Sequence, residues 1–300
     1  LVARIDKAFA EYDSIRIDHP HGLVCPWVYR ADTEDPGRAV RAGARLYESP
    51  ALPDHPGLAR YAITRDTQLD HAMPRHHDRW VRTLDEDQVT RYARMFDVFA
   101  ECAARHGRSM ADVSCEVLST MPLPLDRVLA RYGLGRWRVT QKANLADAID
   151  VYRSEQARPE DWVMLGNHDT PPIFALIRGW TTTTRRAWVC HLTERLAPRE
   201  TCWDEDGFLA TAMLAELFVS PAENVSIFFA DLFGYVERFN EPGTVSDANW
   251  SLRLPPDFAR LHAERLAKGG ALDIRTALAL ALDARGSTSG VADELRNSQA

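Results

Sequence analysis

Residues 112–140 read DVSCEVLSTMPLPLDRVLARYGLGRWRVT, and their pattern sets the class of fold. DVSCEVL at 112–118 alternates apolar and polar side chains as a half-buried strand does, whereas 124–132 carries apolar residues at helical spacing. RWRVT at 136–140 reads as a second strand, and DWVMLG at 161–166 as a third. Strand followed by helix, repeated, requires crossover connections, so the strands are expected to pair in parallel in an α/β chain.

The same alternation extends in both directions. Asp169, Thr170, Pro171 and Pro172 resemble a helix start with proline in its first turn, leading into IFALIRGW. Helices are expected near 183–197, 206–218, 256–267 and 272–284, with a strand at 224–229 (NVSIFF). On the other side, Thr83 and Glu86 form a capping box for a helix that ends before Gly107 and shows Val89, Met95, Phe96, Phe99 and Cys102 on one face. SIRID at 14–18 is a short strand that runs into HPHG, where proline and glycine should stop regular structure. Residues 28–82 are rich in Pro, Asp, Arg and His with little periodicity and read as an irregular insertion. Val2, Ile5, Ala8 and Phe9 start a helix at once without a capping side chain, so the chain is expected to begin inside a domain. The expected organisation is one catalytic region over 1–286, including the insertion, and a loose tail over 287–300.

Composition narrows the function. The 300 residues are 45% hydrophobic and 26% charged, enough apolar side chain for a sizeable core. With 43 acidic against 36 basic residues the net charge is −7, which provides no basic field for a nucleic-acid backbone. No apolar run approaches the roughly 18 residues that a membrane span needs, and the N-terminus lacks the pattern of a signal peptide. Five cysteines without C-x-x-C spacing indicate neither a disulfide framework nor a thiolate metal site, and the expected location is the cytoplasm.

Three carboxylates fall where a predicted strand meets its loop: Asp18 after SIRI, Glu116 within DVSCE, and Asp169 after DWVMLGNH. In a β/α barrel such strand ends converge on one face. Grouped carboxyls push each other's pKa values apart, so one can stay protonated as an acid while another stays ionised as a nucleophile, the division that glycoside chemistry needs. Each one alone could equally be a helix cap or an ion-pair partner. Arg16, two residues before Asp18, shares its strand face and could hold that carboxylate ionised. His19, His21 and His168 beside Asp169 also suit a metal-dependent barrel hydrolase, a weaker reading, because the strands at 136–140 and 224–229 add no histidine. Trp27, in the loop after Asp18, is the tryptophan best placed to stack on a sugar.

Four blocks resemble the 4-α-glucanotransferases of glycoside hydrolase family 77, also called amylomaltases or disproportionating enzymes. RIDHPHGLV at 16–24 is similar to the family's R-I-D-H-x-x-G-L, SCEVLS at 114–119 to A-E-D-L-G, GNHDTPP at 166–172 to T-H-D-N, and RFNEPGTVSDANWSLRLP at 238–255 to R-x-N-x-P-G-T…N-W-x-x-R. Val117 and Ser119 stand where the family has aspartate and glycine, and the span from Asp18 to Glu116 is longer than usual. The resemblance implies a (β/α)8 TIM-barrel type of fold whose N-terminal strands lie outside this chain. It implies an enzyme that transfers an α-1,4-glucan segment to an acceptor sugar with retention, using no metal or organic cofactor. Asp18 would be the nucleophile, Glu116 the acid/base and Asp169 the transition-state stabiliser, with Arg16, His19 and His168 lining the pocket. Maltooligosaccharides would be the substrates. A glucan-binding relative that has lost turnover is the alternative, suggested by the altered EVLS block.

Overall fold

The computed structural model describes residues 1–199 and 201–297, which form two compact units, Leu1–Arg136 and Trp137–Ala300.

In the first unit α1 (Val2–Glu11) leads to β1 (Ile15–Asp18). The HPHG segment does not end regular structure: Pro20 pre-sets the backbone for a single helical turn, α2 (His21–Val24). The insertion holds β2 (Trp27–Val28), α3 (Pro36–Arg41) and β3 (Ala44–Arg45), with β2 and β3 antiparallel, followed by 3₁₀ turns around a small core of Leu69, Trp80 and Val81. It is ordered by turns and buried polar contacts rather than by periodic helices or strands, which is why its sequence shows no period.

The helix expected to end before Gly107 is two: α4 (Glu86–Tyr92) and α5 (Arg94–Arg105), broken at Ala93. Its cap is Asp85 rather than Thr83. The Asp85 carboxylate accepts the Gln88 amide, and the Gln88 side chain accepts the Asp85 amide, a capping box two residues further on that uses the stronger, charged acceptor. Next come β4 (Val113–Glu116) and α6 (Leu123–Arg131). β1 and β4 pair in parallel with Ile15 opposite Val113, Arg16 opposite Ser114, Ile17 opposite Cys115 and Asp18 opposite Glu116. Strand alternation then sends Ile17, Val113 and Cys115 into a core with Phe9, Phe96, Leu125 and Leu129, leaving Arg16, Asp18 and Glu116 on the other face.

The second unit is built on β5 (Trp137–Val139), β6 (Trp162–Met164) and β7 (Asn224–Val225), all parallel in that order. Around them lie α7 (Ile173–Arg178), α8 (Thr182–Leu196) and α9 (Asp206–Val219). Every residue of α9 from Leu209 to Leu217 is buried, Glu216 among them, in keeping with a sequence that is otherwise apolar on nearly every side. Buried under the sheet, Arg138 donates from Nε to Asp161 at 2.8 Å, and Asp161 also accepts the Arg158 amide. The strand expected at 224–229 stops after Val225, because Phe228 and Phe229 leave the ladder to enter an aromatic cluster and α10 (Phe229–Leu232). α11 (Phe258–Leu266) and α12 (Ile274–Ala284) follow as expected. The tail is not loose throughout: α13 (Val291–Asn297) packs on α12 with Ala292 buried and an Arg296–Asp283 ion pair, a polar docking that no apolar stripe announces. Residues 298–300 of the expected tail lie outside the described residues. Among the described residues no helix is long and apolar enough to cross a membrane.

Candidate active site

The first unit brings together three of the expected residues. Asp18 and Glu116 are ladder partners at the C-terminal ends of β1 and β4, so their side chains leave the sheet side by side. Nη2 of Arg16 lies 3.3 Å from Asp18 Oδ1 and donates to Glu116 Oε2. Two oxygens touching one nitrogen lie within about 6 Å of each other, near the roughly 5–5.5 Å of a retaining carboxyl pair and below the roughly 6.5–9.5 Å of an inverting one. The two carboxyls differ in setting. Glu116 is buried and the Asp18 side chain is 75% exposed.

His19 follows with φ at +48°, a left-handed conformation that a non-glycine residue holds only against a cost of about 1–3 kcal/mol. That turn places its ring 4.5 Å from the ring of His21, stacked on it. His21 Nε2 is engaged by Thr120, at 3.1 Å from the carbonyl oxygen, and burial together with the neighbouring His19 pushes its pKa down to about 4. His21 is thus a neutral strut between α2 and the loop after β4. Trp27 is half-buried, donates from Nε1 to the Val40 carbonyl at 2.8 Å, and lies so close to Gly43 that a Cβ there would stand 2.3 Å from Nε1. It anchors the start of the insertion.

The second unit holds the GNHDTPP loop between β6 and α7. Asn240 donates from Nδ2 to Asp169 Oδ1 at 2.6 Å, and His168 Nε2 stands 3.5 Å from Asp169 Oδ2. The His168 ring faces Trp250 at 5.3 Å, and Trp250, half exposed, is itself held at φ +65° against Phe239. Strained backbone at both His19 and Trp250 marks the neighbourhood of the expected site residues.

Beneath this loop sits Asp231, fully buried on α10. Its Oδ1 accepts the Ile173 amide at 2.7 Å at one end of the loop, and the Gly166 amide lies near the same carboxyl at the other. Burial raises its pKa to about 7 against the pull of those two amides. A Cβ on Gly166 would fall 2.7 Å from Thr170 Oγ1 and 3.0 Å from Asp231 Oδ2, so the close approach of the carboxyl requires glycine. Sequence reasoning missed Asn240 and Asp231. Asn240 stood in the RFNEPGT block, where its polarity between Phe239 and Glu241 was a signal. Asp231 lay in a four-residue helix that carried none.

A further group, Glu155, His191 and Glu216, places its ligand atoms within 4.8 Å of one another. Glu216 Oε1 already accepts Ser154 Oγ at 2.5 Å and pairs with His191 Nε2 at 3.1 Å, while Arg153 pairs with Glu155 and Arg195 lies 3.6 Å from Glu216. The arginines supply the positive charge that a cation would bring, and the group reads as a buried ion network.

Solved structures with this fold are known. Amylomaltase from Streptococcus agalactiae, in complex with acarbose, is similar over 91% of this chain and 44% of its own, at 17% identity and a TM-score of 0.53. Amylomaltase from Corynebacterium glutamicum is similar over 91% of this chain and 37% of its own, at 17% identity and a TM-score of 0.50. The chain thus spans less than half the length of these proteins, and the likeness gives it a fold of the (β/α)8-barrel type. No curated protein matches it. The sequence profile of the family described as 4-alpha-glucanotransferase matches residues 1–259, across all four motif blocks, and the chain belongs to that family, glycoside hydrolase 77.

Proposed function

We propose that this chain carries the catalytic residues of a retaining 4-α-glucanotransferase. The observation that carries the reading is the Asp18–Glu116 ladder pair sharing one nitrogen of Arg16. Asp18, exposed beside a guanidinium, attacks the anomeric carbon while Glu116, buried, protonates the glycosidic oxygen, giving a β-linked glycosyl-enzyme. Glu116 then deprotonates an acceptor 4-hydroxyl, which takes the glucan with net retention. Asp169, aligned by Asn240 and beside His168, accepts hydrogen bonds from sugar hydroxyls as positive charge develops on the ring. Trp250, half exposed beside His168, offers an apolar face for a sugar, and His19, directly after Asp18, and Trp27, on β2, are the further sugar contacts of this reading.

Substrates in this reading are α-1,4-glucans or maltooligosaccharides with a sugar acceptor, a class supported by family membership and by the acarbose held by the Streptococcus amylomaltase. Transfer outruns hydrolysis where acceptor binding keeps water from the intermediate. All five cysteines are unpaired thiols, which supports a reducing compartment such as the cytoplasm. The test is maltotriose incubated with the protein in its natural length. Redistribution into glucose and longer oligosaccharides, abolished in Asp18→Asn and Glu116→Gln, is the expected result. Wild type and Glu116→Gln that bind maltodextrin alike, with turnover in neither, would instead favour a glucan-binding role.

A further inference from the structure

The insertion at 28–82 contains a buried ionic spine that ends on the loop behind Glu116. Arg45 and Glu48 are both buried, and Arg45 Nη1 donates to Glu48 Oε2 at 3.2 Å. The same guanidinium donates to the carbonyls of His76 and His77 at 3.0 and 3.2 Å and stands 3.8 Å from Asp78 Oδ1. Trp80 Nε1 donates to the Glu48 carbonyl at 3.1 Å, closing the spine from the far side. Two hydrogen bonds to the His76 and His77 carbonyls, with Trp80 tied to Glu48, therefore fix the segment at 76–80, and with it the direction of Asp78.

Asp78 Oδ2 accepts the amide of Met121 at 2.8 Å. One residue earlier, the Thr120 carbonyl meets His21 Nε2 at 3.1 Å. The loop at 117–122, which leaves Glu116 and enters α6, is thus clasped at a single peptide unit, on its carbonyl by His21 of α2 and on its amide by the insertion. A hydrogen bond from an amide to a carboxylate is roughly twice as strong as a neutral one, and here it crosses 43 residues of sequence. This is also the stretch in which Val117 and Ser119 replace the aspartate and glycine of the family pattern.

We propose that the insertion positions the general acid: Asp78, aligned by Arg45, holds the 117–122 loop and so sets the Glu116 carboxyl at the glycosidic oxygen. Asp78 is a positioning residue, and the proposal rests on Glu116 being the acid/base. Its signature is a defect confined to steps that need a proton. A glycosyl fluoride loses fluoride without protonation, and azide attacks the intermediate without a base, so that pair of reactants bypasses Glu116 while still using Asp18.

The experiment compares wild type, Asp78→Ala, Asp78→Glu and Asp78→Asn, in the protein at its natural length, on maltotriose and on α-maltosyl fluoride with azide. Expected are kcat values on maltotriose lowered about 10- to 100-fold in the Ala and Glu variants with KM within about twofold, and rates on the fluoride with azide within about twofold of wild type. Asp78→Asn, which keeps an oxygen for the Met121 amide, recovers most of the maltotriose rate. Asp78→Glu retains the charge beside Arg45 and displaces the acceptor by one methylene, so the comparison stands if the Ala variant does not fold. Equal losses on both donors, or no loss on either, overturn the proposal. A wild-type protein that turns over neither donor overturns the assignment of Glu116 and the proposal with it, whereas normal wild-type turnover with unselective variants removes the proposal alone.

Discussion

Asp18 and Glu116 stand opposite each other in a parallel strand pair, and a single nitrogen of Arg16 lies against both carboxyls. The guanidinium offsets the repulsion that two neighbouring carboxylates would otherwise exert. It also fixes the rotamers of both at once.

Arg16→Lys keeps a positive charge but not the planar fork, and Arg16→Ala keeps neither. Turnover of maltotriose is expected to fall about 10-fold in the lysine variant and at least about 100-fold in the alanine variant, roughly 1.4 and 2.7 kcal/mol of barrier. Initial rates of glucose release measure both. An alanine variant as fast as wild type would remove Arg16 from the site.

Asn240→Ala deletes the 2.6 Å hydrogen bond to Asp169 without touching the core. A loss of about 10-fold in kcat/KM with an unchanged melting temperature is expected. Asn240→Asp places a second negative charge against Asp169 and should lose more. Steady-state kinetics of the two variants give the order.

Asp231 makes stability depend on pH. Its folded pKa is raised to about 7 from 3.8, so between those values the folded chain keeps a proton that the unfolded chain has released. Stability is therefore fullest below about pH 4 for this group, falls as pH rises toward about 7, and changes no further above it. Asp231→Asn should flatten that decline, which denaturant unfolding at several values from about pH 5 to about pH 8 would record. A residual slope of the same sign is expected from Glu48, buried beside Arg45 and raised from 4.5 to about 7.

Gly234 has φ of +67°, and a Cβ there would stand 1.6 Å from the Gly270 carbonyl oxygen. Both the backbone conformation and the contact exclude a side chain. Gly234→Ala should destabilise the second unit by on the order of 3 kcal/mol, read as a lowered denaturation midpoint, whereas Gly107→Ala, with open space and a similar φ, should cost nearer 1.

The fold was legible where periodicity carried it. SIRID and DVSCE alternate at period two because one face of each strand is buried, DWVMLG is a continuous apolar run because its strand is covered on both faces, and α5, α6 and α12 show helical stripes because one side of each faces a core. Legibility failed where order comes from single polar contacts. Nothing periodic in residues 28–82 announces that Arg45 bonds the carbonyls of His76 and His77, or that Asp78 reaches Met121. The same holds for the site. Asp18, Glu116 and Asp169 could be read as strand-end carboxylates, and the Asp18–Glu116 register follows from parallel pairing. Asn240 and Asp231 act from a loop and a four-residue helix, where only three-dimensional proximity to the GNHDTPP segment gives them a purpose.

The ladder between β1 and β4 has one more consequence. Interstrand spacing in any sheet is about 4.8 Å, dictated by peptide hydrogen bonds and indifferent to side-chain identity. With Asp18 and Glu116 mounted on one rung of neighbouring strands, the stereochemical outcome of the proposed reaction is inherited from backbone architecture. Substitutions around the pocket can therefore retune which sugars enter, while the anomeric configuration of the product stays the same.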